Sequence, residues 1–296
     1  MFNIKLIAIF IAFFTLSIIA QTRQINEKTF EVSQNGLLKI EAAYGDVNIK
    51  SWNKNKVSIK IYGNSLAKKK LKFKFNQNDN EITLKIKRLD RSWFNNFNHV
   101  KLAIEIRVPK NFNTNFETSG SDIFLYNING DSEISTSGGD IIFEKCSGYL
   151  NCETSGGDIE IDSHKGNIRL STSGGTIKVT QLVGDINAET SGGDIKVNSS
   201  NGKVIAATSG GDITLIYKGK NYGIDLSTSG GDIQIKTLDN ISADVDLDTT
   251  GGDCELTGNN INIKKKKAHY ILAKINGGGK KIVCSTTGGD IKMVCK

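Results

Sequence analysis

The 296-residue sequence predicts an all-β fold, a β-solenoid with about 18 residues and two short strands per coil. A six-residue motif, TSGGDI, recurs at nearly constant spacing, and apolar residues alternate with polar ones between its copies. None of these alternating stretches has the apolar spacing of an amphipathic helix. The 31 glycines and the single proline suit a chain with many tight turns.

Residues 1–20 are predicted to be a secretory signal peptide. Lys5 precedes an apolar run over residues 6–20, interrupted only by Thr15 and Ser17, and the polar segment QTRQINEK follows. The run is short for a membrane span, and nothing later in the sequence is a transmembrane candidate. We therefore expect a periplasmic, cell-surface or secreted protein with no integral membrane segment after signal cleavage.

Residues 21–117 are predicted to be a degenerate, β-rich N-terminal part that caps the solenoid. Residues 36–61 show the same alternation of apolar and polar residues as the repeats, but with a degenerate motif. Further alternating runs follow at 71–75, 82–86 and 100–108. A solenoid without such a cap would expose an open strand edge.

An aromatic segment, residues 88–100, breaks this alternation. It clusters Trp93, Phe94 and Phe97, which are the candidate binding residues of the chain. Aromatic rings there can stack on sugar rings or insert into a partner, and the alternative is that they cap the core.

The regular repeats occupy residues 118–296 and form one continuous domain with the preceding part. The motif position held by Asp recurs every 18 residues from Asp122 to Asp212, and then after 20, 21 and 37 residues. The last step is about two periods, which predicts one degenerate unit between Asp253 and Asp290.

Each unit contains two short segments in which apolar and polar residues alternate, and a Gly follows each segment. This pattern indicates two strands and two turns per unit. One unit cannot bury its apolar row alone, whereas stacked copies bury it in a continuous core. A propeller or meander of 18-residue hairpins is the alternative, but it does not require identical residues at every turn.

We interpret the motif as the corner of each coil. The Gly pair is expected to supply backbone angles closed to other residues, and the Asp to accept hydrogen bonds from turn amides. The Thr would turn its methyl group to the core and bond through its hydroxyl to a neighbouring coil or to the turn. Lys178, Lys196, Lys236 and Lys292 are expected to offset the repulsion between stacked carboxylates. The predicted turn ladder comprises Gly138, Gly139, Asp140, Gly156, Gly157, Asp158, Gly192, Gly193, Asp194, Gly210, Gly211, Asp212, Gly230, Gly231 and Asp232.

A bound cation is the functional alternative for the Asp ladder. The calcium-binding β-roll also uses about 18 residues per coil, but it needs Asp at a second spacing in each Gly-rich segment. Here each turn offers one Asp, and Thr176 replaces it in one copy. We therefore expect no metal and no cofactor.

The five cysteines form an odd set without a CxxC pair, which argues against a full disulfide framework. Cys152, Cys254 and Cys284 occupy positions where other units carry small or apolar residues, and Cys295 would point inward. Cys146 falls in a turn region. We expect free thiols, with a Cys284–Cys295 bridge as the alternative.

The arrangement resembles the DUF4097 family of β-strand-repeat proteins, whose members are often labelled "putative adhesins". The residues that carry the resemblance are GLLKIEAAYGDVNIKSW (36–52), IEIRVPKNFNTNFETSGSDI (104–123) and the TSGGDI units that follow. The resemblance covers about residues 28–296. It implies a right-handed β-helix-like solenoid in a bacterial envelope or secreted protein, and it does not indicate which ligand such a protein binds.

Three functions follow as hypotheses. An exported, non-catalytic scaffold or adhesin-like module would bind an envelope protein or an extracellular glycan, and no nucleic acid. An envelope-stress or structural protein without an external ligand is the second. A polysaccharide-active enzyme is the third, and it is disfavoured because His99, His164 and His269 lie in unrelated contexts and the motif serines have no matched base. The formal charge of +7 indicates a solvated basic surface, or a weak attraction to anionic envelope polymers.

Overall fold

A computed structural model describes residues 22–89 and 99–296. The predicted signal peptide therefore lies outside the described residues, and so do Trp93, Phe94 and Phe97.

The described chain is almost entirely β-structure, with one short helix, α1 (Ser65–Lys70). The strands are β1 (Arg23–Glu31), β2 (Gly36–Ala42), β3 (Asp46–Trp52), β4 (Lys56–Gly63), β5 (Leu71–Asn78), β6 (Glu81–Arg88), β7 (Leu102–Pro109), β8 (Phe112–Thr118), β9 (Ile123–Tyr126), β10 (Ser132–Thr136), β11 (Ile141–Glu144), β12 (Leu150–Thr154), β13 (Ile159–Asp162), β14 (Ile168–Thr172), β15 (Ile177–Val183), β16 (Ile186–Thr190), β17 (Ile195–Ser200), β18 (Val204–Ala207), β19 (Ile213–Tyr217), β20 (Ile224–Ser227), β21 (Ile233–Thr237), β22 (Ala243–Thr249), β23 (Cys254–Thr257), β24 (Ile261–Lys267), β25 (Tyr270–Ile275), β26 (Lys281–Thr286) and β27 (Ile291–Cys295).

The strands form two long sheets. Sheet 1 has 13 strands in the order β1-β4-β7-β3-β9-β11-β13-β15-β17-β19-β21-β27-β23. Sheet 2 has 14 strands in the order β24-β25-β22-β26-β20-β18-β16-β14-β12-β10-β8-β2-β6-β5. Each coil contributes one strand to sheet 2 and the next strand to sheet 1, and the TSGGDI motif connects them.

Equivalent residues of successive coils pair in parallel register. In sheet 1, Ile141 pairs with Ile159, and Ile159 with Ile177. Every second side chain of these strands is buried, because successive side chains point to opposite faces of a sheet. Hairpin units would pair antiparallel within each unit, so the propeller alternative is excluded and the predicted β-solenoid is confirmed.

The N-terminal end of the rod is closed by antiparallel strands. In sheet 1, β4 pairs antiparallel with both β7 and β1, and in sheet 2, β5 pairs antiparallel with β6. The first coil of the chain is not the outermost one, since β2 lies between β6 and β8. Both sheets run without interruption from this end into the regular repeats.

The C-terminal end differs from the prediction of one degenerate unit between Asp253 and Asp290. That segment forms an antiparallel hairpin of β24 and β25, which extends sheet 2 beyond the coil of β22 and β23. The chain then returns, and its last coil lies inside the stack: β26 lies between β20 and β22, and β27 between β21 and β23. The prediction was wrong because a step of 37 residues fits either two coils or one coil plus a hairpin.

All five cysteines are buried and none forms a disulfide. The prediction of free thiols is confirmed. Burial raises the pKa of Cys146 to about 11 and that of Cys254 to about 11, so these side chains act as small apolar residues of the core.

Candidate binding surfaces

The Asp side chains of the corners are bonded to the next coil. The backbone N–H of Asp158 donates to Oδ1 of Asp140 at 2.8 Å, and the N–H of Asp212 donates to Oδ1 of Asp194 at 3.0 Å. The same contact recurs along the stack, so that Asp290 bonds to Asp232 and Asp253 bonds to Asp290. It is interrupted at Thr176, whose N–H donates to Asp158 but whose side chain offers no carboxylate to Asp194. A carboxylate that accepts a backbone N–H is stabilised in its charged form, which is a structural role.

The motif threonines link neighbouring coils in a second ladder. The Thr172 hydroxyl donates to the carbonyl oxygen of Gly157 in the preceding coil at 2.9 Å and accepts the N–H of Gly175 in its own turn. Thr190, Thr208, Thr228 and Thr286 make the same pair of contacts. In these copies the buried hydroxyl has both a donor and an acceptor role satisfied, whereas the hydroxyls of Thr118 and Thr136 in the first two copies have no hydrogen-bond partner among the described residues.

The motif glycines are required for a reason other than the predicted one. The positive-φ residues of the described chain include none of the motif Gly pairs. Instead, a Cβ on the second glycine would strike the coil below: on Gly193 it would lie 2.0 Å from the carbonyl oxygen of Gly175. A Cβ on Gly192 would lie 3.5 Å from its nearest neighbour, which is ordinary contact. The constraint is close backbone approach, and it falls on one glycine of each pair.

The lysines that follow the motif offset the Asp ladder less than predicted. Lys196 does bond to Asp194 at 2.9 Å, but Lys178 pairs with Glu160 and Lys292 with Glu255. The main compensation is the backbone N–H that each carboxylate accepts. The pKa values of two motif carboxyls differ accordingly.

Partial burial raises the pKa of Asp140. The hydrogen bond from the N–H of Asp158 opposes this effect, and the negative charges of Asp122 and Asp158 add to it. The hydrogen bond from Lys196, with the N–H of Asp212, lowers the pKa of Asp194.

The second corner of the coils, on the side opposite the motif, contains a break that the sequence pattern did not indicate. Asn127, Lys145, Ser163 and Gln181 each have a φ between 54° and 58° and stand one coil apart, but in the next coil the positive φ moves to Asn201. The pairing of β15 with β17 shifts register at this point. The lengths of the units do not indicate the change, because the motif position and the following turn Gly are eight residues apart on both sides of the break, as in Thr176 and Gly184 and in Asp194 and Gly202.

A shallow groove of about 490 Å³ lies at this break. Its lining residues are Ser163, His164, Lys165, Gln181, Leu182, Val183, Asn198, Ser199, Ser200 and Lys218. His164 is buried, and its Nε2 lies 3.0 Å from the carbonyl oxygen of Gly148, so Nε2 carries the proton. Burial lowers the pKa of His164 and keeps the ring neutral.

The groove does not assemble a serine nucleophile with a histidine base. Leu182 lies between His164 and Ser199 in the stack, because Lys165 pairs with Val183 and Leu182 pairs with Ser199. Two strand spacings separate the imidazole from the hydroxyl, about 10 Å, which is beyond hydrogen-bond reach. Ser163 donates to Gln181 at 3.0 Å.

An aromatic patch lies on the outer face of sheet 1, formed by Lys50, Phe124, Tyr126, Ile142 and Lys145. Phe124 and Tyr126 point outward from β9 and are half-buried. The Lys50 amine lies 5.7 Å from the centre of the Phe124 ring, and the Lys145 amine 5.1 Å from that of Tyr126. Ile142 stands beside Phe124 in the next strand. Aromatic and aliphatic side chains with flanking cations suit contact with a partner surface.

The segments the structure describes hold no group of three or more His, Cys, Asp or Glu residues placed to bind a metal ion. In the same segments, no helix is long and apolar enough to cross a membrane. Trp93, Phe94 and Phe97 lie outside these segments, and their role as binding residues stays a prediction.

A family model described as Toastrack DUF4097 matches residues 37–294. The comparison with curated proteins finds no match. Among solved structures, a "putative adhesin" from Bacteroides fragilis is 16% identical with a TM-score of 0.47, and the match covers 92% of this chain and 98% of that one.

A "putative lipid binding protein" from Parabacteroides distasonis is 14% identical with a TM-score of 0.46, covering 90% and 96%. A "putative cell adhesion protein" from Clostridium sporogenes is 13% identical with a TM-score of 0.24, covering 92% and 99%. All three identities are too low to transfer a function to this chain.

Proposed function

The chain belongs to the Toastrack DUF4097 family, as its motifs predicted, and from this premise we propose that it is an exported, non-catalytic β-solenoid of the bacterial cell envelope or surface. In this proposal it acts as an adhesin-like or scaffold module that binds a polymer or a protein partner. Its location is periplasmic, cell-surface or secreted.

One observation carries the proposal: the recurring chemistry of the repeat is used between coils, and the outer faces are left for recognition. The Asp, Thr and second Gly of the motif all contact the neighbouring coil. Outward residues of successive coils stand in register, as Phe124, Ile142 and Glu160 do on sheet 1. A rigid surface with side chains at one-coil intervals suits an extended partner.

The experiment is a glycan-array screen together with a pull-down from envelope extracts, using the purified protein. Two variants test the candidate surfaces: Trp93→Ala with Phe97→Ala, and Phe124→Ser with Tyr126→Ser. Tyr149→Ser is the matched control, because Tyr149 is an aromatic residue that is 50% exposed at a different corner.

Binding that is lost in either test variant and retained in the control supports the proposal. Capture of one envelope protein without glycan binding would assign the scaffold role and reject adhesion. Capture of neither class of partner would indicate a structural protein without an external ligand, and turnover of a polysaccharide by the purified protein would make it an enzyme. Either of these last two results overturns the proposal.

A further inference from the structure

The C-terminal end of the rod is rich in positive charge. The C-terminal hairpin, defined as residues 258–280, contains six lysines and no Asp or Glu. The whole chain has a formal charge of +7, so the other residues together contribute 7 − 6 = +1. The lysines are Lys264, Lys265, Lys266, Lys267, Lys274 and Lys280. A second group of five lysines without Asp or Glu, residues 68–74, lies at the opposite end of sheet 2, in α1 and β5.

The hairpin is open to solvent. Strand β24 is the last strand of sheet 2, pairs only with β25, and is exposed at every residue after Ile261. Among the residues that the structure covers, no carboxylate lies within ion-pair distance of residues 264–267. Lys265 lies over the Tyr270 ring at 4.9 Å, whereas Lys274 pairs with Asp244 at 3.4 Å. Four consecutive cations are therefore available to an external anion.

Apolar side chains are exposed among these lysines. Ile263 is 45% exposed in β24, and Leu272 is 36% exposed in β25. Leu272 pairs directly with Lys265, so the two side chains point to the same face of the hairpin. Ile263 pairs with Ala273 and therefore lies on the other face of the hairpin. Cationic and apolar side chains are thus exposed together at one end of the molecule, which is the composition of a segment that lies at a bilayer interface.

Edge protection alone does not explain this composition. Lysines on an edge strand prevent pairing with another chain, and β5 at the opposite end of sheet 2 carries Lys72 and Lys74 for that purpose. The hairpin goes further, with four lysines in succession and exposed Ile263 and Leu272 beside them.

We propose that the C-terminal hairpin docks the end of the rod onto a membrane surface that contains anionic phospholipids. Lysine is a compact charge on a flexible stem, which suits a diffuse array of headgroups, whereas arginine dominates where one phosphate is bound bidentately. Ile263 and Leu272 would enter the headgroup region. A linear polyanion would favour a basic row along the rod, but the side rows are mixed in charge, as the Glu160–Lys178 pair shows. This inference is independent of the partner proposed for the outer faces.

The test is a vesicle co-sedimentation assay with the full chain. Vesicles of phosphatidylcholine with phosphatidylglycerol are compared with vesicles of phosphatidylcholine alone. In the test variant, residues 264–267 are replaced by glutamine. In the control variant, four exposed lysines of the middle coils are replaced instead: Lys165→Gln, Lys203→Gln, Lys218→Gln and Lys236→Gln. Both variants lose the same charge, and circular dichroism checks that both remain folded.

We expect the protein to bind only the anionic vesicles. Each lysine near such a surface contributes about fivefold in affinity, so the test variant should lose roughly 100-fold or more and the control much less. Binding should weaken as salt rises from about 0.1 M to about 1 M, because the screening length falls from about 10 Å to about 3 Å. Ile263→Ser with Leu272→Ser should weaken binding several-fold while the charge is unchanged.

Four results would overturn the proposal: no binding to anionic vesicles, equal losses in the two lysine variants, binding to soluble polyglutamate as tight as to vesicles, or filament formation by the test variant with unchanged vesicle binding. The last result would assign the lysines to edge protection alone. None of these outcomes depends on the glycan and pull-down screens, so each proposal can fail separately.

Discussion

At the scale of single residues, the motif is a set of contacts between one coil and the next. The predictions that the Asp accepts an amide and that the Thr hydroxyl bonds to a neighbouring coil or turn follow from side-chain chemistry. The reason for the glycine did not follow, since φ cannot be read from composition and the close approach exists only after the coils stack. The register break near Gln181 was missed for the same reason.

The two glycines of one motif should differ sharply in their tolerance of a side chain. Gly193→Ala is expected to lower the free energy of unfolding by about 3 kcal/mol, because the new Cβ would lie 2.0 Å from the Gly175 carbonyl oxygen. Gly192→Ala is the matched control and should stay within about 1 kcal/mol of the wild type. Urea denaturation of both variants measures the difference. Equal losses would refute the role of close approach.

Two motif carboxyls should respond to neutralisation with opposite signs. The raised pKa of Asp140 means that its charge costs stability at pH 7, and the cost disappears as the pH falls through that pKa. The lowered pKa of Asp194 means that its charge stabilises the fold at pH 7, and this stabilisation is lost as the pH falls through the folded-state pKa.

Asp140→Asn should therefore stabilise and Asp194→Asn destabilise the protein at pH 7, each by a few tenths of a kcal/mol because the groups are largely exposed. Both amides retain the oxygen that accepts the N–H of the next coil. The Asp140 difference should disappear once the pH is below the ordinary Asp value of 3.8, and the Asp194 difference should shrink only at still lower pH, as thermal melts over a range of acidic pH would show. A calcium-dependent rise in the melting temperature of the wild type would contradict the structural role and favour a cation site.

At the scale of strands and coils, the sequence predicted the length of the repeat but not the spatial order in which the coils stack. The 18-residue step and the alternation of Ile and Val predicted two strands per unit, and β13 and β15 show this pattern. The spacing of the motifs does not show that β27 lies between β21 and β23 in the sheet. The last coil is as apolar inside as any other, since Ile291, Met293 and Cys295 are buried. Only long-range pairing distinguishes a coil at the end of the stack from one within it.

At the scale of the whole molecule, the chain is a rod whose interior is architectural and whose surface differs along its length. The sequence predicted a solvated basic surface from the charge of +7 and shows the run of four lysines at 264–267, but the place of this run at one end of the rod became evident only once β24 was placed at the edge of sheet 2. The candidate aromatic residues could be named from composition, whereas the patch around Phe124 depends on strand register. We therefore expect partners to bind the outer surface of the rod.

Distances along the rod test the stacked, re-entrant order of the coils most directly. Glu133 lies in a lateral row of paired residues that crosses sheet 2 on its outer face from strand to strand. Farther along this row come Asp225, then Val283 and then Asp246. Spin labels at position 133 and at each of these three positions can be attached to introduced cysteines, because the native thiols are buried.

Pulsed electron–electron double resonance should give Cα separations of about 24, 29 and 34 Å from position 133 to positions 225, 283 and 246, which are five, six and seven strand spacings of about 4.8 Å. Position 283 should thus lie closer to position 133 than position 246 does, although it comes later in the chain. Distances that do not rise in equal steps, or a shorter distance to position 246 than to position 283, would contradict the re-entrant stack.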